Sequence, residues 1–384
     1  MLRKVIYSVL ILTVTFSSAF SQKNSKEDTV YTFPFHMESR LIVFEGKLNG
    51  KQANFVFDTG AALGLAGKSF ADDGRIEVKG KRMTIRDSNN NTKKVRTGYT
   101  DVMNIGGMRI TNPKVLVTEM PYLSCQNYYL LGSNVIKLIN WVIDFDKMEI
   151  SVSLKPFEVK EDYLALDVKY ENYRPFTTVS FGGMKLSKVL IDTGYTRILD
   201  IDNGSNLVQT YLANKENMGR VNKNISLSTG AISQAMDETT VVLVDTLDLA
   251  GYEIYDIPID FFETKSTKLG IGFFKAISHK TIINNSDSKY YLDLRSQSEF
   301  KDPFLLNLQY SKGEVIVSGK SLEDDQDFDQ IEIGEEVVSI NGQPTSRFSN
   351  ECDFVEWYFT YDEKTMTIET KDGERFTFGK SKLK

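Results

Sequence analysis

One short motif occurs twice in this chain, and it constrains the fold more than any other feature of the sequence. Residues 55–60 read Phe-Val-Phe-Asp-Thr-Gly, and residues 189–194 read Val-Leu-Ile-Asp-Thr-Gly. In both copies a segment with glycine at a hairpin turn comes first, at 48–51 and at 181–184. Three apolar residues that run directly into the Asp are typical of a buried strand. The sequence therefore predicts two strand–turn units of the same design.

Further matching segments follow both copies in the same order, and four ordered correspondences predict two copies of one unit. The additional pairs are Gly107–Ile110 with Gly251–Ile254, Leu130–Gly132 with Gly270–Gly272, and Val142–Asp144 with Ile282–Asn284. Most of the chain between them alternates apolar and polar residues and is rich in Val, Ile, Phe, Thr and Tyr, which indicates strands. We therefore predict a mainly β fold, with short helices at 133–139 and 273–278.

The composition limits the chemistry that the chain can carry out. Its 384 residues include 52 acidic and 46 basic residues, two His and two Cys, with a formal net charge of −6. The negative balance argues against a nucleic-acid partner, which requires clustered Lys and Arg. Two Cys and two His are too few for a convincing Cys/His zinc site, and they disfavour Ser-His-Asp or Cys-His catalysis. Any catalysis should rest on carboxylates, and no metal or organic cofactor is indicated.

The paired motifs place a carboxylate where a strand normally would not have one. Strand interiors disfavour Asp, Gly permits a tight turn, and Thr can lock the loop through backbone hydrogen bonds. If the two units pack about a pseudo-twofold axis, Asp58 and Asp192 face each other and share one proton. One carboxylate then acts as general base on a water, and the protonated one hydrogen-bonds the carbonyl under attack.

Over roughly residues 30–295 these motifs resemble those of pepsin-like and retropepsin-like aspartic peptidases that carry both lobes in one chain. The resemblance implies two β-barrel lobes in a pseudo-twofold bilobal acid-protease fold. It also implies Asp58 and Asp192 as the catalytic pair, with Thr59 and Thr193 interlocked beneath them. Gly60 and Gly194 complete the two supporting turns.

The same resemblance implies a crossed loop in each lobe, closed by a hydrophobic-hydrophobic-Gly segment. We assign this psi-loop to Leu131 and Gly132 in the first lobe, and to Ile271 and Gly272 in the second. Tyr195 departs from the small residue that usually follows the motif, and its ring would crowd the dyad or shape a substrate pocket.

A flap tip is predicted in each lobe from turn-rich residues between strand-like runs. The two candidates are Asp87–Asn91 and Ser228–Ala231. Neither carries the tyrosine that pepsins have in their flap, so ordinary solvated hairpins are the alternative.

A different module follows the repeats. Residues 331–344 resemble the part of a PDZ domain in which a Gly-Glu turn leads into a strand and an Asn-Gly turn, here Asn341-Gly342. Ser349 is expected to cap a helix, and Asp372-Gly373 indicates a hairpin. The resemblance implies a PDZ-like β-sandwich/α domain at 299–384 that binds an extended peptide. The Gly-rich carboxylate-binding loop is not visible, and packing on the lobes or regulation of access is the alternative.

The N-terminus indicates export. Arg3 and Lys4 precede an apolar core at 5–14, and small residues lead to Ser21, which predicts a cleaved signal peptide at 1–21. A retained membrane anchor is the alternative. We expect the lobes at 22–153 and 154–295, a periplasmic or extracellular location, and no membrane span after cleavage.

Export permits a disulfide between the two cysteines of the chain, Cys125 and Cys352. Two independent buried thiols are nevertheless the interpretation favoured here, because free Cys behaves as a small hydrophobic residue.

The sequence as a whole predicts an exported, monomeric aspartic endopeptidase that acts on peptides or unfolded proteins. Three alternatives stay open. The chain could be a catalytically silent peptide-binding protein, the site could form between two chains, or the PDZ-like module could be the functional core with the repeats as scaffold.

Overall fold

The computed structural model describes residues 29–37, 39–87, 91–119, 127–214, 221–229, 234–263, 266–301, 303–322 and 328–380. The predicted signal peptide at 1–21 lies outside these residues, as do parts of both predicted flap tips. The described chain is mainly β, which agrees with the strand signature of the sequence.

The first repeat, residues 43–153, folds into a barrel followed by two strands of a separate sheet. A leading strand, β1 (Tyr31–Pro34), comes before it. The elements of the repeat are β2 (Val43–Leu48), β3 (Lys51–Asp58), β4 (Gly64–Ala66), α1 (Lys68–Asp72), β5 (Glu77–Val78), β6 (Met83–Arg86), β7 (Thr92–Tyr99), β8 (Val102–Ile105), β9 (Met108–Thr111), β10 (Lys114–Val117), β11 (Tyr128–Gly132), α2 (Ser133–Ile136), β12 (Asn140–Asp144) and β13 (Glu149–Ser153).

Hydrogen bonding between neighbouring strands forms this barrel, and the chain connection between β7 and β8 completes it. β2 and β3 form a hairpin through Asn49-Gly50, which both have positive φ, and β11 lies parallel to β3. β4 pairs with β11 and with β10, and β10 pairs with β7. The chain runs from β7 into β8, which returns to β2. The order β2-β3-β11-β4-β10-β7/β8 therefore forms a ring.

The second repeat, residues 164–294, follows the same path. Its elements are β14 (Leu164–Asp167), β15 (Lys169–Glu171), β16 (Arg174–Phe181), β17 (Met184–Asp192), β18 (Leu199–Asp202), α3 (Asn206–Ala213), β19 (Val221–Thr229), β20 (Gln234–Leu249), β21 (Tyr252–Phe262), β22 (Lys268–Gly270), α4 (Ile271–Ile277), β23 (Ser278–Asn284) and β24 (Lys289–Leu294). β16 and β17 form the hairpin, β22 lies parallel to β17, and the ring continues through β18, β21 and β20 back to β16.

A six-stranded sheet joins the two repeats. Its order is β1-β13-β12-β23-β24-β14, so β12 of the first repeat pairs with β23 of the second at its centre. Val142 lies opposite Ile282 in this pair, and these two residues occupy corresponding places in the repeats. The sheet therefore has a local twofold relation at its centre.

One hydrophobic core extends through both repeats and the joining sheet. Trp141 of β12 is fully buried, its ring centroid lies 4.9 Å from that of Phe57, and its indole N–H donates to the Ile136 carbonyl at 2.8 Å. Phe57 immediately precedes Asp58, so packing on the joining sheet fixes the end of β3.

The C-terminal module has a separate core, formed by residues such as Leu306, Val317, Phe354 and Met366. Its elements are β25 (Leu306–Ser311), β26 (Glu314–Ser321), β27 (Glu336–Ile340), β28 (Gln343–Pro344), a 3-10 turn (Thr345–Arg347), α5 (Glu351–Thr360), β29 (Thr365–Thr370) and β30 (Arg375–Gly379). The expected hairpin is present between β29 and β30, and the Asn341-Gly342 turn between β27 and β28.

The helix cap of this module differs from the prediction. Asn350, one residue later than Ser349, caps α5, because its side-chain oxygen accepts hydrogen bonds from the N–H groups of Cys352 and Asp353. Ser349 hydrogen-bonds to the Asp353 side chain instead.

The module is fastened to the repeats at several points. β26 pairs with β19 over three residues, and the Leu322 N–H donates to the Lys223 carbonyl at 2.7 Å. Arg40 lies 4.5 Å from the ring centroid of Phe359 on α5. The module therefore contacts the second repeat and the segment that precedes the first.

Cys352 on α5 is in a disulfide, so the expectation that it is an independent thiol is wrong. The other cysteine of the sequence, Cys125, lies outside the described residues. No helix in the described part of the chain is long and apolar enough to cross a membrane.

Candidate active site

The two Asp-Thr-Gly motifs meet where β3 and β17 end. Asp58 is the last residue of β3 and is 8% exposed, and Asp192 is the last residue of β17. A Cβ at Gly60 would overlap the Asp192 carboxyl carbon, and a Cβ at Gly194 would overlap that of Asp58. Each carboxyl group therefore lies against the glycine of the other motif, which no residue with a side chain would allow.

The two threonines interlock beneath the carboxyl groups. The Thr59 N–H donates to Thr193 Oγ1 and the Thr193 N–H donates to Thr59 Oγ1, both at 3.0 Å. The Thr59 hydroxyl donates to the Ile191 carbonyl at 2.7 Å, and the Thr193 hydroxyl donates to the Phe57 carbonyl at 3.0 Å. Both side chains are buried. Each hydroxyl thus satisfies backbone groups of the other repeat, which fixes the two turns relative to each other.

The Asp58 carboxyl group is held by its own turn. Its Oδ1 accepts hydrogen bonds from the N–H groups of Gly60 at 2.8 Å and Ala61 at 2.9 Å. Burial raises the pKa of Asp58 to about 7, the neighbouring Asp192 charge raises it as well, and the two N–H groups lower it. The physical cause is that a charge loses hydration in the buried site while a second carboxylate repels it.

The Asp192 carboxyl group has different neighbours. Burial raises its pKa, while Lys268, the Gly194 N–H and a hydrogen bond with Asp58 lower it. The Tyr195 N–H donates to the main-chain carbonyl of Asp192 at 3.1 Å, whereas the equivalent N–H of the first repeat, that of Ala61, donates to a carboxyl oxygen. Two buried carboxyl groups this close to each other's turns do not both ionise easily, which favours one shared proton.

A crossed loop is present in each repeat, but the second one is displaced from the predicted position. Asp58 lies opposite Gly132 in the register of β3 and β11, and Asp192 lies opposite Gly270 in that of β17 and β22. The residues that correspond to Leu131 and Gly132 are therefore Leu269 and Gly270.

The prediction of Ile271 and Gly272 for the second crossed loop is wrong for a structural reason: both residues belong to the first turn of α4. At Gly132 and Gly270 the preceding loop crosses so closely that a Cβ would overlap backbone atoms, of Leu63 and Arg197 respectively.

Lys268 is the main feature of the site that the sequence did not reveal. Its side chain is 8% exposed, its Nζ lies 4.0 Å from Asp192 Oδ2, and the same Nζ lies 3.7 Å from the ring centroid of Tyr195. The Tyr195 ring therefore packs on the ammonium group beside the dyad, which explains how a bulky residue is accommodated after the motif.

Further charged residues lie behind Lys268 in the second repeat. Asp200 is fully buried and Asp260 is largely so, and Arg197 Nη1 lies 3.7 Å from Asp260 Oδ1. Burial raises the pKa of Asp200 to about 7, and Asp260 raises it further. A signal for these residues exists in the sequence, since Leu-Asp-Ile-Asp at 199–202 places acidic residues in a strand.

The described residues contain no group of three or more His, Cys, Asp or Glu side chains arranged to hold a metal ion. The bases of both predicted flaps are hairpins, β6–β7 and β19–β20. Their tips at 88–90 and 230–233 lie outside the described residues.

Comparison with known protein families finds a match over part of the chain. Residues 44–135 match the family model described as aspartyl protease, a segment that contains Asp58–Gly60 and the first crossed loop. The match supports an aspartic peptidase domain of the retropepsin-like kind, and the mainly β structure with its barrel is consistent with an aspartic protease fold. No curated protein matches the chain.

Proposed function

We propose that this protein is an aspartic endopeptidase whose catalytic residues are Asp58 and Asp192, one from each of two lobes. The observation that carries the proposal is the mutual placement of the two buried carboxyl groups, each directly against the glycine of the other motif. Such a pair holds one proton between two acids, which is the state that acid–base activation of water requires.

In the proposed reaction the ionised carboxylate takes a proton from a water, whose oxygen attacks the peptide carbonyl carbon. The protonated carboxyl group donates its proton to the carbonyl oxygen, which gives a tetrahedral diol. The C–N bond then breaks, the nitrogen receives a proton from the dyad, and one diol hydroxyl returns its proton to the other carboxylate. The products are a free carboxyl end and a free amine, and the dyad again holds one proton.

The rest of the chain completes the proposal. We infer that residues 299–384 form a PDZ domain that binds peptides or regulates access, that the protein is exported after cleavage at about Ser21, and that it acts as a monomer on peptides or unfolded proteins. The pairing of β26 with β19 supports a role in access, because β19 belongs to the hairpin at the predicted second flap.

Incubation of the chain from residue 22 with an unfolded protein between pH 3 and 8 tests this function. We expect cleavage that declines above about pH 7, because loss of the shared proton leaves both acids ionised. Asp58→Asn and Asp192→Asn should each reduce cleavage by about 100- to 10,000-fold. Asp101→Asn, which removes an exposed carboxylate of the first repeat, is the matched control and should cleave normally.

Two outcomes would contradict the proposal. Cleavage that persists in Asp58→Asn and Asp192→Asn would exclude the dyad as the catalytic centre. A folded wild-type protein that binds unfolded peptides but cleaves none at any pH would favour the silent peptide-binding alternative.

A further inference from the structure

The two repeats differ sharply on the face that carries the dyad. In the second repeat four residues lie side by side on neighbouring strands of the sheet, and we call them the charged row. They are Leu190 on β17, Lys268 on β22, Asp200 on β18 and Asp260 on β21. Side chains two residues apart on a strand point to the same face. Because Leu190 is two residues before Asp192, the row lies on the Asp192 face, one step behind the carboxylate.

The strand register of the first repeat identifies the four residues that correspond to the charged row of the second. They are Val56, Leu130, Leu65 and Leu116, on β3, β11, β4 and β10. Three leucines therefore stand where the second repeat has a lysine and two aspartates. The leucine row is an ordinary apolar core arrangement, whereas the charged row removes three ionisable groups from water at considerable cost.

The charged row puts an ammonium group beside one carboxyl group of the dyad. The 4.0 Å between Lys268 Nζ and Asp192 Oδ2 is long for a hydrogen bond but short for a Coulomb interaction in a buried site. The first repeat has Leu130 in the corresponding place, so Asp58 has no such neighbour from its own row. Asp58 instead receives a second N–H donor, from Ala61, which Asp192 lacks.

We propose that Lys268 is a positioning residue of the dyad, which stabilises Asp192 as the ionised carboxylate and thereby leaves the shared proton on Asp58. This inference rests on the proposed function, because it assigns different roles to the two acids: Asp192 takes the proton from water and Asp58 donates to the carbonyl. The Tyr195 ring, packed on the ammonium group at 3.7 Å, holds Lys268 in this position.

Other charged or titratable groups lie around Asp192 and Lys268. Asp58 on β3 and Arg174 on β16 interact with Asp192, and the Tyr195 ring packs on Lys268. Asp200 on β18 interacts with Lys268, and Asp260 on β21 and Arg197 in the loop after β17 interact in turn with Asp200. Arg197 forms an ion pair with Asp260. The charge of Lys268 acts on Asp200 as well as on the dyad. A purely structural role for Lys268, as counterion of Asp200 alone, is therefore the rival explanation.

The experiment is a titration of Asp192 by carboxyl-carbon NMR in the chain labelled at aspartate, with Asp192→Asn identifying the signal. Lys268→Met keeps the length of the side chain and removes the charge. We expect the midpoint of the Asp192 titration to rise by about one pH unit in Lys268→Met, because removal of a nearby opposite charge destabilises the ionised carboxylate. Lys268→Arg should restore the wild-type midpoint. Lys188→Met, the same charge change at an exposed site on β17, should leave it unchanged.

The pH profile of cleavage is the second readout. In Lys268→Met the acidic and the alkaline limb of this profile should both move to higher pH, and in Lys268→Arg and Lys188→Met neither limb should move. If Lys268→Met does not fold, Lys268→Gln supplies the same test. An Asp192 midpoint that is the same in the neutral variants as in wild type would overturn the inference, even if the protein is an active peptidase. A shifted midpoint in a protein that cleaves nothing would support it while refuting the proposed function.

Discussion

Two hydroxyl groups hold the Asp-Thr-Gly turns of the two repeats together. Thr59 Oγ1 accepts from the Thr193 N–H and donates to the Ile191 carbonyl, and Thr193 makes the reciprocal pair. All of these groups are buried. At the scale of single residues, the threonines therefore matter as hydrogen-bonding groups and much less as apolar side chains.

We predict that Thr59→Ala lowers the free energy of unfolding by about 2 to 6 kcal/mol. The substitution leaves the Thr193 N–H and the Ile191 carbonyl buried without partners, at about 1 to 3 kcal/mol each. Thr59→Ser keeps the hydroxyl and should lose only about 1 kcal/mol, the value of a buried methyl group. Urea unfolding of the three proteins measures this, and equal losses in both variants would show that the hydroxyl contributes nothing.

Single residues also mark the limit of what the sequence could predict. Asp58 and Asp192 were predicted because the motif repeats in the same context. Lys268 was not, because its importance depends on strand register: it lies opposite Leu190, two residues from Asp192 on the same face. A lysine in a short strand is ordinarily expected to face solvent, and only the pairing of β17 with β22 shows that this one does not.

At the scale of elements, the hairpin β19–β20 and the strand β26 form one continuous sheet across two parts of the chain. Ser226 lies opposite Gly319, and a Cβ at Gly319 would come within 2.9 Å of the Ser226 Cβ. The close approach of these strands depends on that glycine. The C-terminal module therefore fixes the position of the hairpin at the predicted second flap.

We predict that Gly319→Val separates β26 from β19 and frees the hairpin. Amide hydrogen exchange of residues 224–226 should accelerate by at least about tenfold, the effect of losing about 1.4 kcal/mol of protection. Glu314→Val adds the same side chain at an exposed position of β26 and should leave exchange unchanged. Unchanged exchange in Gly319→Val would mean that the pairing does not restrain the hairpin.

The misassigned crossed loop shows why some elements escape a sequence pattern. Lys268-Leu269-Gly270 does not match a hydrophobic-hydrophobic-Gly pattern, because its first residue is charged, whereas the neighbouring Gly270–Gly272 ends in the expected Ile-Gly. The mainly β character, the two short helices after the crossed loops and the hairpin at Asp372-Gly373 agree with the prediction, since alternation and turn residues determine them locally. The helix cap of α5 differed by one residue because Ser349 and Asn350 are both good caps, and only tertiary contacts choose between them.

For the whole molecule, the buried acids make stability depend on pH. In the unfolded chain the pKa of Asp58 lies near 3.8, and in the folded protein it is raised to about 7. Between these values the folded protein binds a proton that the unfolded chain has released, so stability must fall as the pH rises through this range. Asp200 acts in the same direction for the same reason.

We predict that the loss of stability between pH 4.5 and 7.5 is smaller in Asp58→Asn than in wild type, by about 2 to 4 kcal/mol. The asparagine cannot ionise, so the cost of charging a buried carboxyl group is absent. Asp101→Asn should follow the wild type across the range, because this residue is exposed. Urea unfolding at several pH values gives the comparison, and parallel curves for wild type and Asp58→Asn would contradict it.

The joining sheet brings the two repeats together as in a symmetric dimer, but within one chain their sequences can differ. At its centre Val142 lies opposite Ile282, so the repeats meet as two identical subunits would. In a true homodimer every substitution appears twice, and a lysine at position 268 would stand beside both acids. Because both repeats are encoded in one chain, each can mutate alone, and the leucine row could be retained on one side while charge accumulated on the other. The covalent connection is thus what allows a symmetric scaffold to carry an asymmetric pair of acids.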